Sequence, residues 1–167
     1  LLISLIRRMS STSPPPGPLA FVFTVREEVP RKGAGPAAFH VQPDLALAVD
    51  VTSTGDTPRG GAMDVGLGKG PAVKIRDKYM LADPAVVQWM TGRAEKEGLP
   101  YQREILERGS TEASQVQISR SGVPSGGLSL PCRYVHSPAE MIAESDLDQT
   151  LLLLESLLRN PPDLKSD

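Results

Sequence analysis

The order of segments along this chain predicts an α/β fold, a three-layer αβα sandwich around a mostly parallel mixed sheet. Three observations lead there. PLAFVFTV at 18–25 and LALAVDV at 45–51 are near-continuous apolar runs, the pattern of strands covered on both faces. ADPAVVQWMTGRAEKEGL at 82–99 has helical apolar spacing between a clear start and a clear stop. Strand-like and helix-like stretches alternate along most of the remaining chain.

LLISLIRRM at the start, with apolar residues at 1, 2, 3, 5 and 6 followed by Arg7 and Arg8, suits the last turns of a mostly buried helix with cations at its C-terminal end. The chain opens on Leu inside that helix, which is the expectation for a fragment of a longer polypeptide. SSTSPPPG at 10–17 then acts as a stiff connector. The run at 18–25, a short helix over GAGPAAFHV at 33–41 and the run at 45–51 together predict a βαβ unit. Residues 52–70 hold six glycines among nineteen residues and predict a long loop of the kind that often serves function.

PAVKIRD at 71–77 alternates apolar and polar residues, as a half-exposed strand does. In the following helix Asp83 is the N-cap, Pro84 the first helical residue and Gly98 the stop. YQREILE at 101–107 predicts a strand, STEASQVQISRSG at 110–122 a helix, and GGLSLP at 126–131 a strand leading into CRYVHSP. The last helix, SDLDQTLLLLESLLRN, is expected to start on a Ser or Asp cap and to end at Pro161 and Pro162, leaving a polar tail over 161–167.

With 167 residues, 40% hydrophobic and 23% charged, the chain has the composition of one soluble domain. A net charge of -2 and only 4% aromatic residues exclude the basic, stacking surface of a nucleic-acid binder. LLLLESLL at 151–158 falls far short of the roughly 20 apolar residues a membrane span needs. Cys132, the single cysteine, has no partner for a disulfide or a CxxC pair and suits a reducing, cytoplasmic setting. GLGKG at 66–70 lacks the full phosphate-loop spacing and reads as a turn. Cys132, Trp89 and Met90 read as packing, and His40 as an ordinary surface or packing residue.

In an open α/β sheet, ligands bind beyond the carboxyl ends of the strands. Glu27 and Glu28 follow the first predicted strand, Asp50 ends the second and His136 follows the last. Carboxylates and an imidazole on one edge are ligands that zinc, cobalt or manganese accepts. In the adjacent pair, one carboxylate can ligate while its neighbour takes a proton from water. The alternative is a solvated pair with no task, and both readings stand on spacing alone.

FVFTVREEV, LALAVDVTSTGDTP, GLGKGPAVKIRD and GSTEASQVQISRSGVPSGGLSLPCRYVHSPAEM, in that order, resemble the tetrahedral (TET-type) metallo-aminopeptidases over nearly the whole chain. The resemblance implies a zinc-peptidase-like sandwich, incomplete here at its N-terminus, with residues 1–160 as the C-terminal part of the catalytic domain. It implies a co-catalytic two-metal aminopeptidase acting on peptides with a free N-terminus. Glu27 matches the general base, Glu28 a ligand of one metal, Asp50 a ligand of the other, and His136 a further ligand. Two divalent ions, zinc or cobalt, are the implied cofactors, and a homo-oligomer, dodecameric in relatives, the implied assembly.

This sequence departs from the family pattern at several points. An early histidine and a bridging aspartate have no counterpart here, nor has the inserted β-rich domain between them, which implies a chain inactive alone. EEVPRKGA places Pro30 where a glycine is expected, and Glu112 stands where the family has Asp. Glu112 either caps the following helix or shapes the site near the substrate amine. A non-catalytic binding or scaffold protein derived from a peptidase is the alternative function.

Overall fold

A computed structural model of the chain describes residues 1–29 and 31–163. Pro30 and the last four residues of the expected polar tail lie outside the described residues. The elements are α1 (Leu2–Ser10), α2 (Ala34–Val41), β1 (Ala46–Ser53), β2 (Ala72–Arg76), α3 (Pro84–Glu97), β3 (Gln102–Ile105), α4 (Ala113–Val116), β4 (Ser125–Cys132) and α5 (Glu144–Arg159). Four strands form one sheet in the order β1-β4-β2-β3. β1 runs parallel to β4 and β2 parallel to β3, while β2 and β4 are antiparallel, so the sheet is mixed as expected.

Helices α1, α3 and α5 pack on one face and α2 and α4 on the other, which makes the three layers. The main core lies under the first set, where Val73 and Leu128 meet Val86, Met90 and Ala94 of α3, Leu153, Leu154 and Leu157 of α5, and Leu5 and Met9 of α1. β4 is buried at every residue, and its first glycine sets how closely α3 approaches. A Cβ on Gly126 would stand 2.7 Å from Val86 Cγ1 and 2.9 Å from Met90 Cε.

Local signals did their work in α3. The Asp83 side chain accepts from the Ala85 and Val86 N–H groups, Pro84 occupies the first turn, and Gly98 ends the helix in the left-handed conformation. Asp77, at the end of β2, is buried and accepts from the Tyr79, Met80 and Thr111 N–H groups and from the Ser110 hydroxyl. It thereby ties the start of the α4 region to the sheet.

Several expectations are corrected. Residues 18–25 form no strand, so the βαβ unit is absent. An apolar extended run becomes a strand only where a neighbouring backbone meets its N–H and C=O groups. Here Phe21 packs on the core while Phe23 and Val25 are exposed. PAVKIRD is not half-exposed: β2 lies between β4 and β3, and Lys74 in its middle is fully buried. Asp50 does not end β1, which continues to Ser53. The helix expected over 110–122 is confined to Ala113–Val116, followed by turns. α1 is amphipathic rather than mostly buried, with Leu5 and Met9 inward and Ile3 exposed.

α5 starts on Glu144 after Ala143, with no side-chain cap. Asp146, a candidate cap, is instead fully buried and accepts from the Gly68 and Gly70 N–H groups at 2.7 and 2.8 Å. GLGKG is therefore a turn, as expected, and the anion it cradles is the chain's own carboxylate.

Candidate active site

Glu27 and Glu28 sit in a chain of turns between the 18–25 segment and α2. Arg26 adopts the left-handed region (φ 59°), and Lys32 N–H donates to the Arg26 carbonyl at 3.1 Å. Gly33 closes this loop, since any Cβ there would collide with the Val25 backbone. The turns, not a strand end, aim the two carboxylates. His136 lies four residues beyond β4 and also takes the left-handed region (φ 64°), as does Tyr134 (φ 58°). Its N–H donates to Glu140 Oε1 at 2.8 Å.

His136 Nε2 stands 3.3 Å from Glu28 Oε1, with side chains 73% and 72% exposed, so this pair is open to a ligand. Asp50, the fifth residue of β1, is half-buried and accepts from the Val51 N–H at 2.8 Å. Burial pushes the Asp50 carboxyl up, Glu112 and Glu28 push it further, and the Val51 N–H and Lys74 oppose. Burial also pushes Glu27 up, with Asp50, Glu28 and Glu112 adding to it and Arg31 opposing. Glu112 occupies the N-cap position of α4, yet its side chain caps nothing there and accepts from the Thr24 hydroxyl. Four carboxylates thus feel one another across one edge.

That crowding fits a divalent cation, and carboxylate oxygen with imidazole nitrogen is the donor chemistry such ions take. The arrangement is open. Glu28 and His136 are in contact, and among the described residues no group of three or more His, Cys, Asp or Glu side chains is gathered closely enough to hold a metal ion. A surface hollow of about 370 Å³ is lined by Ile6, Met9, Leu19 and Phe21 and by none of these residues. Cys132 is buried with its thiol pushed up by burial, as packing requires.

Sequence reasoning missed three buried groups behind this edge: Lys74, Glu104 and Asp77. The signal was available in part. VKI in β2 places one charge between apolar neighbours, REI in β3 carries Glu104 beside Arg103, and the register sets Lys74 opposite Glu104.

A layered α/β domain with a crowd of carboxylates and one imidazole along an edge is the kind of domain that hydrolytic metal centres use. The comparisons with known proteins narrow the class to one family. The chain belongs to the M42 glutamyl aminopeptidase family, whose profile matches residues 1–153. A relative from Acetivibrio thermocellus with aminopeptidase in its name is 46% identical over 134 residues, which are 80% of this chain and 41% of that protein. The structure of a TET aminopeptidase from a Thaumarchaeota archaeon superposes with a TM-score of 0.87 at 27% identity, covering 96% of this chain and 46% of that one. Pyrococcus horikoshii TET1 peptidase, which can assemble into a tetrahedron or a large octahedral shell, superposes at 0.70 with 33% identity over 83% of this chain and 40% of that one. The chain thus spans about two fifths of the length of the curated relatives it matches. No helix among the described residues is long and apolar enough to cross a membrane.

Proposed function

We propose that this chain is part of a co-catalytic two-metal aminopeptidase that removes N-terminal residues from peptides. The observation that supports it is the contact between Glu28 and His136 beside Glu27, within the electrostatic reach of Asp50 and Glu112. Glu28, His136 and Asp50 would hold the divalent ions, zinc or cobalt. Such ions supply Lewis acidity toward a peptide carbonyl and toward water. Glu27 would accept the proton that the attacking water loses. Glu112, held by Thr24, would face the substrate's N-terminal amine with a negative charge.

Residues 1–160 would form the C-terminal part of the catalytic domain, in a cytoplasmic homo-oligomer. Without counterparts of the early histidine and the bridging aspartate, the chain would bind metal weakly and turn over nothing by itself. The absence of a closed group of three donors among the described residues equally favours a non-catalytic scaffold descended from a peptidase.

A cobalt titration followed by calorimetry, together with amino-acid anilide hydrolysis, tests the reading. Weak cobalt uptake abolished by His136→Ala supports the metal centre. Uptake unaffected by His136→Ala favours the scaffold, and robust anilide turnover by this chain alone overturns its incompleteness.

A further inference from the structure

The sheet carries a second set of charged side chains that the reading above does not use. Lys74 of β2 and Glu104 of β3 are fully buried and form an ion pair, and the Thr52 hydroxyl of β1 donates to the same Glu104 oxygen at 2.5 Å. In the order β1-β4-β2-β3, β1 and β3 are the outer strands. One carboxylate oxygen therefore links the two outer strands across the two inner ones.

Room for this link comes from Gly127 on β4. A Cβ there would stand 3.1 Å from Lys74 Cβ, 3.2 Å from its Cδ and 3.4 Å from its Cε, so the lysine stem lies against bare backbone. The strand register puts Gly127 opposite Lys74. Burying an ion pair where apolar residues would fit is often neutral or unfavourable for stability, so the pair calls for another reason. The second Glu104 oxygen and the Ser129 hydroxyl, which is in register with Asp50, are also buried and have no hydrogen-bond partner among the described residues.

β1 needs a tie of this kind. Among the described residues it pairs with β4 alone, and Thr52 lies two residues beyond Asp50, so the two side chains leave the same face of the strand. Lys74 is also near enough to act electrostatically on Asp50.

We propose that Thr52, Glu104 and Lys74 form a clamp that fixes the C-terminal half of β1, and that Lys74 and Glu104 are positioning residues which act through Thr52 to hold Asp50 toward the divalent ion. The functional half rests on the metal centre proposed above; the clamp itself does not. Thr52→Val removes the hydroxyl at nearly constant shape, and Thr52→Ser keeps it.

In the full 167-residue chain, hydrogen exchange of the 46–53 segment reads the clamp directly. Thr52→Val is expected to speed exchange there by about tenfold, the worth of one buried hydrogen bond to a charged group, with Thr52→Ser near wild type. Unchanged exchange in Thr52→Val overturns the clamp. Visible absorption of added cobalt reads the positioning: a band shifted in Thr52→Val and restored in Thr52→Ser supports it, and an identical band in all three overturns it. A wild-type chain that takes up no cobalt overturns the metal centre and the positioning role together, while the exchange measurement still decides the clamp.

Discussion

Lys74→Met puts the interior of the sheet under the most direct test. Methionine matches the lysine stem but leaves Glu104, which is 0% exposed, with the Thr52 hydroxyl as its one remaining donor among the described residues. Removing one member of a buried ion pair costs about 3–5 kcal/mol, because the other charge stays behind without a partner. Against a total stability of roughly 5–15 kcal/mol, that removes about a fifth or more of the margin. With a urea m-value of about 2 kcal/mol per molar, the unfolding midpoint should fall by about 2 M. Replacing both partners, Lys74→Met with Glu104→Leu, removes the stranded charge and should recover most of the loss or exceed wild type. The assay is equilibrium urea unfolding of wild type, the two single variants and the double variant. A midpoint shift below about 0.5 M in Lys74→Met, or a double variant no better than the worse single one, would refute the reasoning.

Gly126→Ala should cost about 1–3 kcal/mol, because the new methyl group meets Val86 Cγ1 at 2.7 Å and a valine cannot turn away within a helix; chemical denaturation reads it, and adding Val86→Ala should return part of the loss. Asp146→Ala should cost about 2–4 kcal/mol by stranding the Gly68 and Gly70 N–H groups, with faster limited proteolysis between residues 54 and 71 as the second readout. Asp56 accepts from Arg133 at 2.7 Å and its carboxyl lies well below the usual carboxylate range, first through that bond and then through Thr54. A depressed folded-state pKa contributes stability above the unfolded value and loses it as pH falls, so the melting temperature should drop below pH ~4 by more in wild type than in Arg133→Met, and the difference should shrink in high salt.

What could be read in advance depended on how far apart the deciding groups lie. α3 was legible to the residue, because Asp83, Pro84 and Gly98 act within one turn of where they sit. The 18–25 run was misread because its composition describes a strand while strandhood needs a partner backbone, which composition does not report. Lys74 was misread for the opposite reason. A charge in a strand ordinarily signals solvent, and only Glu104, thirty residues away, makes its burial possible. In the site, Glu28 and His136 could be singled out because each follows an apolar run, whereas Asp77 and Thr52 act through partners that no local pattern names. Asp146 was visible as a helix start and was taken by the glycine loop instead, 76 residues earlier in the chain.

The two neighbouring glycines of β4 have a consequence for how this domain can change. At this point the sheet is a partition one backbone thick, with an oily room on the Gly126 side and an ionic one on the Gly127 side. A side chain added at either position must be absorbed by its own room, by trimming Val86 or Met90 in one case and the Lys74 stem in the other. The two substitutions therefore need unrelated compensations, and a lineage that tolerates one gains no head start toward the other.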